Sequence, residues 1–193
     1  ALDSSGLVAS VAVVENDTLL AEYTVNYKKT HSQTLLPMLD EISNMTELDL
    51  STIDAIAVAG GPGSFTGLRI GSATAKGLGL ALEKPLISIP TTAAIAYNIW
   101  DTDKFVCPIM DARRNQVYTG VYCYTDHRLD TVWEQDTMSI EALAEGLNCL
   151  DHEVIFLGDG VAVYREKLEA LLTIPFSFAP AHVNRCLLYT SPS

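Results

Sequence analysis

The segment AIAVAGGPGSFTGLRIGSATAKG, residues 55–77, decides the fold of this chain. Its apolar start is typical of a buried strand, its glycines and proline mark a turn, and the residues after Ser64 have helical periodicity. A strand that enters a helix through a glycine-rich turn is common in phosphate-binding proteins. The first question is therefore whether this turn binds phosphate.

The spacing of the glycines departs from both common phosphate-binding motifs. A P-loop requires a Lys directly after its last glycine, whereas the next lysine here is Lys76, well inside the helix. A dinucleotide-binding loop requires GxGxxG, whereas Gly61, Gly63 and Gly67 form GxGxxxG. The N–H groups at the helix start still favour an anion. The many small residues of the helix, each glycine costing about 1 kcal/mol relative to alanine, favour close packing instead, and packing is the preferred interpretation.

Composition narrows the class of protein. The 193 residues carry a formal net charge of −12, from 24 acidic and 12 basic side chains, and 48% are hydrophobic. Such a surface repels phosphate backbones, which argues against direct binding of nucleic acid. The four cysteines form no CxxC pair, which favours a reducing compartment, and we expect a cytoplasmic protein. No apolar run reaches the roughly 20 residues that span a membrane.

Apolar periodicity predicts an α/β fold of two related lobes, residues 1–102 and 103–185. The predicted elements of the first lobe are a hairpin over 7–28 with its turn at Asn16 and Asp17, a helix over 32–45 capped by Ser32, a strand before residue 61, and a helix over 64–83 that opens at Ser64. The second lobe is predicted to have two strands around a polar turn at 111–115, a helix over about 139–147, a strand in EVIFLGDG at 153–160 and a helix over 161–172.

Both ends of the chain depart from the expected pattern. A strand that leads into the first turn should carry more apolar residues before Ala1, and the last eight residues, CLLYTSPS, follow neither a helical nor a strand period. We expect a fold truncated at both ends, with residues 186–193 as a non-native tail.

Three polar turns at predicted strand ends are candidates for ligand binding. They are LDSSG at 2–6, MDARRNQ at 110–116 and FLGDGV at 156–161. Actin-like ATPases hold phosphate, metal and adenosine at turns of this kind and in this order, although Asp and Gly are also the commonest turn residues. The candidate cofactor-binding residues are Asp3, Ser4, Gly158, Asp159 and Gly160.

The sequence contains neither the usual motif of a metal-dependent hydrolase nor that of a nucleophilic hydrolase. The four histidines are never within four residues of one another, which disfavours a helical metal-ligand pair. Ser64 stands in GPGSFTG, whose spacing does not match the GxSxG nucleophile elbow. We therefore predict no catalytic residue and no metal site.

Residues 60–96, GGPGSFTGLRIGSATAKGLGLALEKPLISIPTTAAIA, resemble a long and specific signature of the bacterial TsaB (YeaZ) family, whose members are also called glycoprotease-like. Three shorter segments add support: LDSSGLVASVAVVEN resembles the family's opening hairpin, PIMDARRNQVYTGVY its DAR turn, and FLGDGVAVY its GDGA turn. The resemblance spans residues 2 to about 182, and we expect this chain to lack the family's usual C-terminal helix.

The resemblance implies two actin/Hsp70-like (ASKHA) lobes and a non-catalytic partner of TsaD. TsaD transfers threonylcarbamoyl to the N6 of a tRNA adenosine, and a third subunit, the ATPase TsaE, docks where the two proteins meet. The chain is then expected to contact tRNA only indirectly, to need no cofactor of its own, and to bind ATP or ADP weakly.

The resemblance also implies where partners bind. It assigns the contact with TsaD, and the homodimer formed in isolation, to the helices predicted over 32–45 and 64–83, which carry more apolar residues than one core-facing stripe needs. The candidate interface residues are Leu35, Leu36, Leu39, Ile42, Leu68 and Arg69. Two alternatives stay open: a small-molecule kinase of the actin-like superfamily, which tight ATP binding would favour, and an independent peptidase.

Overall fold

The computed structural model describes residues 1–25 and 31–184. The end of the predicted hairpin, residues 26–28, and the predicted tail at 186–193 lie outside these ranges. The chain forms two compact units, of which the described parts are residues 1–25 with 31–91, and residues 92–184.

The first unit is a five-stranded sheet with two long helices. Its elements are β1 (Leu2–Asp3), β2 (Ala9–Glu15), β3 (Thr18–Val25), α1 (Leu35–Thr46), β4 (Ile56–Gly61), α2 (Phe65–Leu82) and β5 (Leu86–Pro90). The strand order is β3-β2-β1-β4-β5, in which β1 pairs antiparallel with β2 and parallel with β4. The predicted hairpin is confirmed: Asn16 and Asp17 join β2 to β3 with φ angles of 47° and 61°, the left-handed conformation that tight hairpin turns require.

The two helices pack against a core that contains Leu2 and Val11 on the sheet. α1 buries Leu35, Met38 and Ile42, which recur at helical spacing. α2 buries a stripe of small residues instead, one on each turn, namely Gly67, Gly71, Ala75 and Gly79. The prediction that close packing explains the small residues of this helix is confirmed.

The start of α1 differs from the prediction. Ser32 lies in a short 3-10 turn, and the α-helix begins at Leu35 without a side-chain cap. Pro37 explains the shift, because proline has no N–H to donate and its ring obstructs the carbonyl four residues earlier. A helix that begins at Leu35 places Pro37 in its first turn, where the N–H groups have no acceptor within the helix. In α2 the predicted cap is confirmed, since Ser64 Oγ accepts a hydrogen bond from the N–H of Gly67 at 3.3 Å.

The second unit repeats the strand order of the first. Its elements are α3 (Thr91–Ala96, which begins one residue before the unit), β6 (Phe105–Arg113), β7 (Gln116–Thr125), β8 (Arg128–Ser139), α4 (Ile140–Asn148), β9 (Val154–Leu157), α5 (Val161–Leu171) and β10 (Phe176–Phe178). The order β8-β7-β6-β9-β10 places β6 between an antiparallel neighbour, β7, and a parallel one, β9. β1 has the same two kinds of neighbour in the first unit, so the predicted pair of related α/β lobes is confirmed.

The boundary between the lobes lies at residues 91/92, rather than at the predicted 102/103. Thr92 explains the difference, because its hydroxyl hydrogen-bonds to the Tyr122 hydroxyl at 2.7 Å and donates to Gln135 Oε1 at 3.0 Å. Both partners belong to the second lobe, and α3 therefore belongs mainly to it.

Candidate functional site

The first polar turn is joined to the start of α2 by hydrogen bonds. Ser4 Oγ donates to the carbonyl of Gly67 at 2.8 Å, and the N–H of Ser64 donates to the carbonyl of Ser5 at 2.7 Å. Asp3 is buried, and its carboxylate accepts a hydrogen bond from the N–H of Ser5 at 2.8 Å. The turn and the glycine-rich loop thus form one bonded unit.

Two glycines make this close approach possible. A Cβ atom at Gly63 would overlap the carbonyl of Ser5, and a Cβ at Gly71 would overlap the hydroxyl of Ser4. Gly63 and Gly71 therefore have a packing role against the 3–6 turn. This geometry supports the interpretation of residues 55–77 as a packing element.

The second and third polar turns lie side by side at the carboxyl ends of the parallel strands β6 and β9. The N–H of Asp111 donates to Asp159 Oδ1 at 3.1 Å, and the N–H of Gly160 donates to the carbonyl of Ile109 at 3.0 Å. Gly158 has a φ of 104°, and a Cβ at this residue would overlap the Ile109 carbonyl. Both turns lie at strand ends, as predicted, while a role for Gly158, Asp159 and Gly160 in binding a cofactor stays a prediction.

Asp111, from the second polar turn, also belongs to this site, as does Tyr164, which the sequence did not single out. Asp111 Oδ1 accepts hydrogen bonds from the N–H of Arg113 at 2.9 Å and from the hydroxyl of Tyr164 at 3.0 Å. Burial, and after it the hydrogen bond and charge of Asp111, raise the pKa of Tyr164 to about 12, so the hydroxyl remains a donor at neutral pH.

Asp159 is exposed as a residue, yet its carboxylate is partly withdrawn from water. This desolvation is the largest influence on its pKa, and with the nearby charge of Asp111 it outweighs the hydrogen bond from the Asp111 N–H, so that the pKa is raised. Two carboxylates close together, each engaged by groups of this chain, form the centre of the second site.

The hairpin turn beside these carboxylates is hydrogen-bonded to two helices of its lobe, α4 and α5. Arg113, Arg114 and Asn115 have φ angles of 65°, 51° and 63°, which are uncommon for residues other than glycine. Asn115 Nδ2 donates to both carboxylate oxygens of Glu141, at 3.0 and 2.7 Å, and these hydrogen bonds lower the pKa of Glu141. Lys167 Nζ, from α5, donates to Asn115 Oδ1 and to Glu141 Oε1.

Within the part of the chain that the structure describes, no three His, Cys, Asp or Glu side chains gather closely enough to hold a metal ion. Over the same residues, none of the helices combines the length and apolar character needed to cross a membrane.

The predicted interface residues fall into three groups. Leu35 and Ile42 are buried in the core of the first lobe, so they offer no surface to a partner there, which corrects their choice as surface contacts. Leu39 and Leu68 are partly buried. Leu36, with 52% of its surface exposed, and Arg69 face outward.

Two more exposed apolar side chains lie on α2. Phe65 is 71% exposed and supports the guanidinium of Arg69, whose Cζ lies 4.5 Å from the ring centroid, and Leu80 is 84% exposed. Periodicity alone could not separate them from the core, because the fully buried residues of α2 are its small ones, while its large residues are divided between the core and the surface.

The repeated strand order and the polar turns at the strand ends define a protein with two actin-like lobes. A ROK hexokinase from Thermus thermophilus has the same fold, with a TM-score of 0.54 over 98% of this chain and 96% of the hexokinase, at 14% sequence identity. At that identity the likeness shows the fold alone.

Within this class, the chain belongs to the TsaB (YeaZ) family. Residues 18–187 match the family model described as TsaD, tRNA N6-adenosine threonylcarbamoyltransferase. The chain is 34% identical over 172 residues to the tRNA threonylcarbamoyladenosine biosynthesis protein TsaB of Bacillus subtilis, covering 89% of this chain and 75% of that protein. The structure of YeaZ from Pseudomonas aeruginosa superposes with a TM-score of 0.81 at 26% identity, over 96% of this chain and 84% of YeaZ. The resemblance and the predicted fold class are confirmed.

Proposed function

We propose that this chain is a non-catalytic, activating partner of TsaD in the synthesis of N6-threonylcarbamoyladenosine in tRNA, acting together with TsaE. Membership in the TsaB (YeaZ) family and the match to the TsaD model support this pathway. We infer that the chain is a pseudoenzyme which helps TsaD to act and performs no transfer itself.

One observation carries the non-catalytic part of the proposal: the polar turns are bonded to their own chain. In the first lobe the Asp3 carboxylate is buried and Ser4 and Ser5 bond the start of α2. In the second lobe the Asp111 carboxylate is engaged by Arg113 and Tyr164. A phosphotransferase needs groups of this kind available to contact phosphate and metal. Here a ligand would first have to break their hydrogen bonds within the chain, which costs free energy.

The proposal also includes expectations about the need for a cofactor, the contact with tRNA and the cellular location of the protein. We expect no tightly bound cofactor and only weak affinity for ATP or ADP. The net charge of −12 favours contact with tRNA through TsaD rather than directly. Cys107, Cys123 and Cys149 are free thiols, which supports a cytoplasmic location.

We further propose that TsaD binds the exposed faces of α1 and α2, and that the same faces form a homodimer when TsaD is absent. Leu36, Phe65 and Leu80 supply the apolar contacts and Arg69 a charged one. Large exposed apolar side chains on adjoining helices are typical of association surfaces.

Reconstitution tests the proposal. TsaD and TsaE from the same source are incubated with tRNA, ATP and the other substrates, with and without this chain, and the modified nucleoside is measured by mass spectrometry. We expect modification only when TsaD is present, and an increase when this chain is added. Modification by this chain without TsaD would refute the proposal, and submicromolar ATP affinity of the isolated chain in calorimetry would favour a kinase instead.

A further inference from the structure

Three aromatic rings form a cluster at the surface of the second lobe, and none of them belongs to a polar turn. Tyr97 and Trp100 follow α3, and Tyr124 is near the end of β7. The ring centroids are 5.9 Å apart for Tyr97 and Trp100, 6.2 Å for Tyr97 and Tyr124, and 5.5 Å for Trp100 and Tyr124, with interplanar angles of 48°, 67° and 64°. We call these three residues the aromatic patch.

Trp100 is the outermost member of the aromatic patch. It is 59% exposed, whereas Tyr97 and Tyr124 are partly buried. Burial of an indole ring is strongly favourable, so covering the exposed ring of Trp100 with a partner would lower the free energy. Exposed tryptophans supported by other rings are typical of the residues that dominate protein interfaces.

The segment that carries Trp100 is held in place. Asp101 has a left-handed backbone, with φ 53°, and its Oδ2 lies 2.6 Å from Nδ1 of His127 in the β7–β8 turn. On the other side, Asn98 Nδ2 donates to the carbonyl of Val183 at 2.9 Å. A surface that is already ordered loses less entropy when a ligand binds.

The electrostatics of the aromatic patch favour a cation. Among the residues that the structure describes, the buried Tyr124 hydroxyl has no hydrogen-bond partner. Burial raises the pKa of Tyr124 to about 12, and the proximity of Tyr97 and Asp101 adds to this shift. The carboxylate of Asp101 attracts positive charge to this surface, as do the electron-rich faces of the rings.

We propose that the aromatic patch, together with Asp101, binds an arginine side chain presented by a protein partner. A planar guanidinium can stack on Trp100 while its N–H groups reach a carboxylate, which a compact ammonium cannot do equally well. A nucleobase can also stack on tryptophan, but its phosphate would meet a chain of net charge −12. This surface lies in the second lobe, whereas the interface proposed for TsaD lies on α1 and α2 of the first.

Nuclear magnetic resonance tests this proposal on the intact chain. The protein contains two tryptophans, so 15N labelling yields two indole N–H signals, and Trp100→Phe assigns them by removing one. The probe is N-acetyl-arginine amide, and its matched neutral control is the citrulline analogue. We expect a saturable shift of the Trp100 signal, while Trp133, which packs against the core of the lobe, stays constant as an internal control. Citrulline should bind about two- to fivefold more weakly, as expected for the loss of a cation–π contact at an exposed site.

Each other outcome overturns the proposal in a defined way. Equal shifts with arginine and citrulline would exclude recognition of the charge. A shift produced by uridine monophosphate and not by arginine would assign the aromatic patch to a nucleobase. No shift of Trp100 with any of the three probes, or equal shifts of both tryptophans, would remove the site. None of these outcomes bears on the reconstitution with TsaD, because a different lobe is probed.

Discussion

Gly158, in the third polar turn, and Gly77, in the middle of α2, should respond in opposite ways to replacement by alanine. Gly158 has a left-handed φ of 104° and no room for a Cβ beside the Ile109 carbonyl, so Gly158→Ala should lower the free energy of unfolding by about 2 kcal/mol or more. Gly77 lies in α2 with nothing within 4 Å of an added Cβ, so Gly77→Ala should raise that free energy by about 0.5–1 kcal/mol. Urea unfolding followed by far-UV circular dichroism measures both changes.

Opposite signs for the two substitutions are the expected result. A Gly158→Ala variant as stable as the parent chain would mean that the turn relaxes freely and that its tight packing on β6 does not constrain it.

At the scale of residues, the sequence predicted polar turns at the ends of strands but not the hydrogen bonds that their side chains form. Asp159 and its flanking glycines were found because GDG follows an apolar strand. Tyr164 was missed because its hydrogen bond to Asp111 crosses 53 residues, and on α5 it reads as an ordinary core position. Leu35 and Leu36 were both assigned to the interface, since periodicity does not reveal which side of a helix the sheet occupies.

The exposed faces of the helices α1 and α2 lead to a prediction at the scale of elements. Leu36→Glu and Leu80→Glu should leave the fold intact, because both side chains are largely exposed, and each should weaken binding of TsaD at least about tenfold by burying an unpaired charge. Calorimetry measures affinity, and circular dichroism checks the fold. Val163→Glu, on the exposed side of α5 in the other lobe, is the matched control and should bind TsaD normally.

Leu39→Glu is a less suitable test than Leu36→Glu, because Leu39 packs partly against the core of the first lobe and its replacement should also destabilise that lobe. Undiminished binding by folded Leu36→Glu and Leu80→Glu variants would place the interface elsewhere.

Secondary-structure elements were predicted correctly where turn or capping residues mark their ends. The hairpin turn at Asn16 and Asp17 and the cap at Ser64 are local features, and both were correct. β8 was missed because its sequence, RLDTVWEQDTMS, is mostly polar and lies at the edge of its sheet, where pairing with β7 rather than burial maintains it.

For the molecule as a whole, the two lobes share a strand order without sharing a sequence repeat. Each has a central strand between an antiparallel and a parallel neighbour, with polar turns where these central strands end. The order of predicted elements was enough to infer two related lobes. The boundary between them was not predictable, because it depends on hydrogen bonds from Thr92 to residues 30 and 43 positions away.

The last prediction concerns assembly of the whole chain. If one surface on α1 and α2 forms both the homodimer and the complex with TsaD, the two states exclude each other, and mass action should convert homodimers to heterodimers as TsaD is added. Light scattering after size exclusion should give twice the chain mass for the protein alone and a one-to-one complex with excess TsaD. Each protomer carries a net charge of −12, so screening by salt should strengthen the homodimer as ionic strength rises from a low value. A complex that retains two copies of this chain bound to each other alongside TsaD would show that the two surfaces are separate.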